Sequence, residues 1–428
     1  MELDLMGFRK AYPEYYKATK PPEKPVRLPG EFEPVKTVFY AWEAGYENFY
    51  CSLTQRIVEE ADVKVVLLFH GEEERADICS CLHQVGDLPL DMVVMLDVAR
   101  VGPYYHWREN PQIYEEYAFD PDHPPSLGSV EDPHERRSRE GPSWSNDWPW
   151  YRSLDSDWVR DWGPFFIETP GADPGSHGVV DFRYDAFRVN DDAVPSKLAA
   201  LYDLPVYRSS LDMDGGNLVT DGLGTCFVAW SPEDLMDLPP RVIIERELGL
   251  YLGCHKIVWL RSLENEPTGH VDVFVKVASP NLVLVGKYSF EDDPKNAAIL
   301  DYDAEVIASE TNGRGEPFEV LRVPMPDNRD GVFRTYLNSL LLNDIVIVPT
   351  YRADRLYEDR ALSLYSAVFS ERDILPIEAG PMVERGGAVR CATNTWPAPP
   401  GALRTLLEMG WNPVEWPDVE MTLPRACR

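Results

Sequence analysis

From Val35 onwards the chain alternates short apolar runs with amphipathic stretches. Val35-Lys36-Thr37-Val38-Phe39-Tyr40-Ala41-Trp42 is rich in β-branched and aromatic residues and predicts a strand. Tyr50 to Ala61 reads as a helix and Val63 to Phe69 as a second strand. The same order returns with Trp158 to Ile167, Val179 to Tyr184, a helical Ser196 to Tyr202 and Leu204 to Tyr207. It returns again through Leu218-Val219, Thr225 to Trp230, Pro239 to Leu248 and Lys256 to Leu260. Val271 to Val277, Leu282 to Val285, Ala297 to Ser309 and Phe318 to Val323 make a fourth unit, and Thr335 to Leu342, Ile345 to Pro349, Arg360 to Phe369 and Ile374 to Ile377 a fifth. Order and period agree, which predicts an α/β protein built by internal repetition.

Two segments and one loop fall outside this rhythm. Residues 1–34, with Pro21-Pro22, Pro25 and Pro29, read as an extended lead-in laid over the surface of a single domain spanning 35–400. Residues 401–428 read as a C-terminal extension packed on it. Residues at about 104–150, with Trp144 and Trp148 and then Trp150, interrupt the recurrence ahead of Trp158 as a long loop of the kind that serves as a lid or binding loop. Tryptophans that merely anchor the loop are the plainer alternative.

Composition narrows the function classes. Hydrophobic residues at 44% and charged residues at 26% are those of a globular chain and exclude a disordered one. The 41 basic against 72 acidic residues give a net charge of -31, which argues against nucleic acid and against anionic membranes. That charge serves solubility, or draws cationic ligands to a cleft. Met1-Glu2-Leu3-Asp4 lacks the basic start of a secretory signal, and no run reaches the ~18 apolar residues of a membrane span. Seven cysteines at scattered positions do not suggest a full disulfide framework, so a reducing, cytoplasmic setting is expected. Cys79-Ser80-Cys81 has the wrong spacing for a zinc pair and reads as structural.

Against this background a few polar residues stand out near the starts of successive units. Gly386-Gly387-Ala388-Val389-Arg390-Cys391-Ala392-Thr393 places a cysteine after two glycines, which permit close backbone approach, on what reads as a strand entering the interior. A buried cysteine that only fills space is the bland alternative. Asp161 lies in a turn between Trp158 and Trp162, either a local hydrogen-bond acceptor or a carboxylate facing a cation between aromatic walls. His270 and Asp272, two apart, fall on one face of a strand, as a satisfied core pair or as a proton shuttle and anchor. Asp212-Met213-Asp214-Gly215-Gly216-Asn217 is an acidic turn in which calcium is conceivable, although the two glycines suggest close approach to something else. Asp161, Asp214, His270, Asn338 and Cys391 follow one another at separations of 53, 56, 68 and 53 residues, so equivalent strands around an axis would bring them to one pocket.

Taken in order, these motifs resemble the guanidino-group modifying superfamily, most closely its agmatine deiminases and bacterial, Porphyromonas-type peptidylarginine deiminases. The resemblance starts at Leu28 to Pro34 and Val38 to Trp42, and runs through Trp158 to Pro164, Asp214 to Asn217, Gly269 to Asp272 and Thr335 to Asn338 to Gly386 to Thr393. It implies a five-bladed α/β propeller, the pentein fold, of ββαβ units. It further implies that Cys391 attacks the guanidinium carbon, that Asp161 and Asp272 hold its nitrogens, and that His270 is the general acid and base, with no metal or other cofactor. Trp158, Arg188, Asp214, Asn217, Asn338 and Gly387 are the expected substrate-binding positions. The implied activity is a deiminase that hydrolyses a small or peptide substrate bearing a guanidinium to a ureido product and ammonia. The same residues would serve an amidinotransferase, or a binding protein that has kept only the cation receptor.

Three positions depart from the family pattern. Asp214 opens an Asp-Gly-Gly-Asn where agmatine deiminases usually have Glu, which points away from agmatine. Arg188, in Tyr184 to Asp191, matches one half of a two-arginine carboxylate clamp whose other place holds Ala186, and it points toward a substrate carboxylate. Arg390 stands before the cysteine where histidine is common.

Overall fold

The computed structural model describes residues 19–23, 26–85, 92–97, 154–169, 177–184, 188–202, 204–231, 241–352, 355–397 and 420–422. The expected loop at 104–150, Trp144, Trp148 and Trp150 included, lies outside them, as do Ala186 and most of the C-terminal extension.

Five sheets carry the described chain. Four have three strands each: β4 (Phe165–Glu168), β5 (His177–Arg183) and β6 (Val206–Asp212); β7 (Val219–Thr220), β8 (Thr225–Trp230) and β9 (Lys256–Arg261); β10 (Val275–Ser279), β11 (Leu282–Lys287) and β12 (Glu319–Pro324); β13 (Leu340–Leu342), β14 (Ile345–Thr350) and β15 (Asp373–Glu378). In each the first pair is antiparallel and the second parallel. A parallel pair needs a crossover, and a helix supplies it every time: Val189–Leu201, Arg241–Tyr251, Pro294–Ala308 and Arg355–Val368. This is the ββαβ unit of the α/β propeller.

The remaining sheet joins the two ends of the chain. β1 (Val35–Ala41) pairs parallel with β2 (Lys64–Phe69) across helix Glu47–Glu60, β3 (Val93–Asp97) adds to β2, and the late strand β16 (Asn394–Pro397) pairs antiparallel with β1. The outer edge of β3 takes β17 (Glu420–Thr422), the described part of the C-terminal segment. Strands buried on both faces read as continuous hydrophobic stretches, as β14 does from Ile345 to Val348, and form the core with the helices packed over them.

Some expectations change. Val271–Val273 is a 3-10 turn, and the strand begins only at Val275. The cysteine segment is a helical turn, closed by Ala392 N–H to the Ala388 carbonyl and Thr393 N–H to the Arg390 carbonyl, and its strand starts at Asn394. Asp161 belongs to the short helix Val159–Trp162. The lead-in does not simply coat the surface: Val26 is buried, and Arg27 pairs with both Glu33 and Glu168. Cysteine pairing also differs, because Cys51 is bonded to Cys81 and Cys226 to Cys254, each pair inside one repeat where scattered sequence positions concealed it. Among the described residues no helix is long and apolar enough to cross a membrane.

Candidate active site

The turns that precede the first strands of successive sheets carry the polar residues to one place. Helix Val159–Trp162 brings Asp161, the turn Gly215–Asn217 follows Asp214, and the turn Val271–Val273 holds Asp272 just after His270. Asn338 comes two residues before β13, and Cys391 three before β16. All but Asp214 are nearly enclosed: Cys391 is 3% exposed, His270 6% and Asp272 0%.

Cys391 is fixed from several sides. Asn338 donates its side-chain N–H to Sγ at 3.1 Å and accepts the Cys391 backbone N–H at 3.1 Å. The thiol lies 3.7 Å from Asp272 Oδ2. Gly387 is required here, because a Cβ would overlap the Trp158 ring and come within 2.9 Å of the Cys391 Cβ. Burial pushes the thiol well above its ordinary value, and the Asp272 and Asp161 carboxylates push it further, against a smaller opposing pull from Arg390. The resting side chain is therefore a neutral thiol.

His270 sits between two carboxylates, with Nε2 3.1 Å from Asp214 Oδ2 and Nδ1 3.5 Å from Asp161 Oδ1. Burial opposes its charge, but Asp161 and then Asp214 outweigh it and raise the imidazole to about 10. Asp161 itself is raised, chiefly by burial and in spite of the imidazolium beside it, and its Oδ1 accepts the Gly216 N–H at 3.1 Å. The glycine pair is explained by this contact: a Cβ on Gly216 would stand 2.5 Å from Asp161 Oδ1 and against His270 Nδ1, and one on Gly215 would strike the Arg160 carbonyl. Asp214 thus serves His270, and the neighbouring Asp221 gives its oxygens to the backbone N–H groups of Leu223, Thr225 and Gly313.

Asp272 divides its carboxylate. Oδ2 accepts Arg390 Nη1 at 2.6 Å, while Oδ1 is buried without a hydrogen-bond partner. Arg390 is in turn held by Glu31 at 2.8 Å and by the Leu218 carbonyl at 3.0 Å, and Glu31 also pairs with Arg160 and Lys276. The unsatisfied Oδ1 belongs to a buried carboxylate whose other oxygen lies 3.7 Å from the thiol, and an N–H of a planar cation would satisfy it.

A cavity of ≈180 Å³ leads to Cys391 and Asn338. Phe333 and Val273 supply apolar wall, and Glu266, Glu384 and Arg385 line it as well. Arg385 is anchored by Asp157 through two bonds of 2.8 and 2.9 Å and stacks between Tyr46 and Trp158. Of the expected binding positions, Trp158, Asp214, Asn338 and Gly387 come together around Cys391 and His270. Asn217 differs, because its side chain is spent on backbone, donating to the Ala229 carbonyl and accepting from Ala229 and Val271. Arg188 donates to the Tyr184 hydroxyl at 2.8 Å, and that tyrosine feels the charges of Asp161 and Asp214.

Glu31, Arg160, Asp157 and Arg385 were not singled out in the sequence. Glu31 and Arg160 did carry a signal, since each lies in a stretch that resembles the family, Leu28 to Pro34 and Trp158 to Pro164.

Residues 150–397 match the family model of Porphyromonas-type peptidyl-arginine deiminase. The chain is 26% identical over 290 residues to an agmatine deiminase of Medicago truncatula, covering 58% of this chain and 77% of the relative. To a protein named as an agmatine deiminase in Selenomonas ruminantium it is 29% identical over 281 residues, covering 57% and 75%. Among solved structures, the agmatine deiminase of Enterococcus faecalis superposes with TM-score 0.63 at 20% identity, covering 89% of this chain and 100% of that one. A structure described as an arginine deiminase from Porphyromonas gingivalis gives 0.62 at 19%, covering 87% and 98%.

Proposed function

The chain belongs to the Porphyromonas-type peptidyl-arginine deiminase family, and from that we propose that it hydrolyses a small guanidinium compound with a cationic far end, agmatine being the type, through a covalent intermediate on Cys391. The observation that carries this reading is the buried cluster in which Cys391 lies 3.7 Å from Asp272 and His270 lies 3.5 Å from Asp161, with a cavity that reaches Cys391.

A guanidinium resists attack until it is fixed, desolvated and met by a strong nucleophile. Asp161 and the open Oδ1 of Asp272 supply charged acceptors for its nitrogens. The neutral thiol loses its proton to solvent as the cation enters, since a positive charge nearby favours thiolate. The sulfur then bonds to the guanidinium carbon. Protonated His270 gives its proton to a departing nitrogen, the C–N bond breaks, and ammonia leaves a thiouronium on Cys391. The imidazole, now neutral, takes a proton from water. The oxygen adds to the same carbon, the C–S bond breaks, the remaining hydroxyl proton passes to solvent, and the ureido product is released with the thiolate restored. A resting imidazole held near 10 begins this cycle in the protonated form that the first step needs.

Substrate choice follows from the wall of the cavity. Glu266 and Glu384 line it, whereas the positive charge of Arg385 is already balanced by Asp157. An amine is favoured there over a carboxylate, and Arg188, the expected carboxylate anchor, is directed to Tyr184. Ammonia and ureido product should be measured from agmatine, free arginine, blocked arginine and peptides with internal or C-terminal arginine. A charged hydrogen bond of ~1.5–3 kcal/mol predicts agmatine ahead by roughly tenfold to a hundredfold in kcat/KM. Faster turnover of free or C-terminal arginine would refute the cationic-end reading, and amidino transfer to added glycine without ammonia would refute hydrolysis.

A further inference from the structure

We propose that Glu31 and Arg390 are positioning residues for the reaction, setting the charge behind Cys391 and holding Asp272 so that one of its oxygens is left for the guanidinium. The assignment rests on Cys391 and Asp272 as nucleophile and anchor, but its test does not require turnover.

Arg390 precedes the cysteine and is 2% exposed. It does not line the cavity that ends at Cys391, and its guanidinium spans two carboxylates. Nη1 is on Asp272 Oδ2 at 2.6 Å, while Nε and Nη2 are on Glu31 at 2.8 Å each. The fork geometry fixes the Asp272 carboxylate in the plane that leaves Oδ1 open, which a lysine's point charge would not do. Glu31 comes from the lead-in segment, more than three hundred residues away in sequence. It meets Arg390, Arg160 at 3.0 Å and Lys276 at 3.3 Å, and these cations hold it well below the usual carboxylate range although burial acts the other way.

The network is not neutral. Arg390, Arg160 and Lys276 stand against Glu31 and Asp272, an excess of one positive charge. Part of that excess is close to the nucleophile, since Arg390 Nη1 is 2.6 Å from the same Asp272 Oδ2 that lies 3.7 Å from the Cys391 sulfur. The other groups that face the thiol are Asp272, Asp161, Asn338 and Tyr351. Two of these are anionic and disfavour the thiolate, so the cationic wall opposes them from behind. A cation at this depth acts without competing with substrate for the front of the pocket, and Glu31 limits it so that a guanidinium is not repelled.

The charges make an ordered series. Arg390→Gln removes the excess, Glu31→Gln doubles it, and the double variant returns it to one. Alkylation of Cys391 by iodoacetamide, followed on its own peptide by mass spectrometry near neutral pH, reads the thiolate fraction directly. Glu31→Gln should speed it roughly threefold or more and Arg390→Gln slow it by roughly tenfold, the size expected for one nearby charge. The double variant should come within about twofold of the unaltered protein. In the Cys391→Ala background, agmatine should bind more weakly to Glu31→Gln, although its thiol counterpart is the most reactive. A purely structural network would make the double variant the most disturbed of the three; that order, or equal rates throughout, overturns the proposal. If Arg390→Gln does not fold, Glu31→Gln decides alone, and a rate at or below that of the unaltered protein is then the refuting result. Loss of turnover with the series intact would count against the hydrolysis reading and leave this one standing.

Discussion

Asp161 and Asp272 look alike in sequence and do different work. Asp161 is tied to His270 and to the Gly216 N–H, so its charge is shared with the proton carrier. Asp272 is tied to Arg390 and keeps an oxygen free. Replacing either by asparagine preserves the shape but removes a charge-assisted contact that binds the ground state and strengthens in the transition state. Both variants should raise KM and lower kcat together. Asp161→Asn should in addition move the alkaline limb of the kcat profile to lower pH, because Asp161 is the largest of the influences that raise His270. Steady-state kinetics across pH would check this, and activity within a few fold of the unaltered enzyme for either variant would remove that residue from the site. Reading these residue types as chemistry was possible from the sequence because Asp161, His270 and Cys391 recur at similar spacing. The partners that tune them were harder to read: Glu31 lies in a resembling stretch, Leu28 to Pro34, but nothing local ties it to Arg390, or Asp157 to Arg385.

The turn Gly215–Asn217 and the turn Val271–Val273 must hold a fixed relation for His270 to meet Asp214 and Asp161. Asn217 supplies that relation, gripping Ala229 of β8 and the N–H of Val271, the residue after His270. Asn217→Ala leaves buried backbone groups without partners, at about 1–3 kcal/mol for each fully desolvated one. The melting temperature should fall by several degrees and kcat by more than KM changes, whereas Asn217→Asp, which keeps the acceptor, should lose less. Calorimetry and kinetics on the two variants would show it; equal loss in both would put the effect elsewhere. The elements themselves were largely predictable, because apolar runs of strand length separated by amphipathic helices have few other readings. His270 to Val273 was not. Alternating polar and apolar residues fit a strand and a short 3-10 turn equally well over four positions, and the contacts to Asn217 and Asp214 that select the turn come from another sheet.

The whole chain carries a charge of -31, and several of its acids are buried. Burial, first among the causes, raises Asp192 and Asp303 to about 7, and Asp161 and Asp214 overcome burial to raise His270 to about 10. A group raised on folding stabilises fully below its unfolded value, ~3.9 for Asp and ~6.5 for His, and loses that contribution as pH climbs through its folded value. Lys197 and Lys276, lowered by burial to about 8, act in the opposite sense and lose their contribution as pH falls through that value. Repulsion among the excess acids adds to the first group. The melting temperature should therefore decline from about pH 6 to about pH 9, and a rise over that window would show that the lysines prevail. The repeat, with its five units, was evident along the sequence, and with it that the last would close beside the first; the antiparallel register of β16 on β1 was not, because pairing between distant strands leaves no local pattern.

The central claim is that Cys391 becomes bonded to the guanidinium carbon. The direct measurement is acid quenching of the enzyme during turnover of agmatine, followed by intact mass and peptide mapping. The account predicts a thiouronium adduct on the peptide bearing Cys391, formed and lost at rates compatible with turnover, and neither adduct nor activity in a folded Cys391→Ala variant. Turnover by that variant, or an adduct carried by another residue, would contradict it.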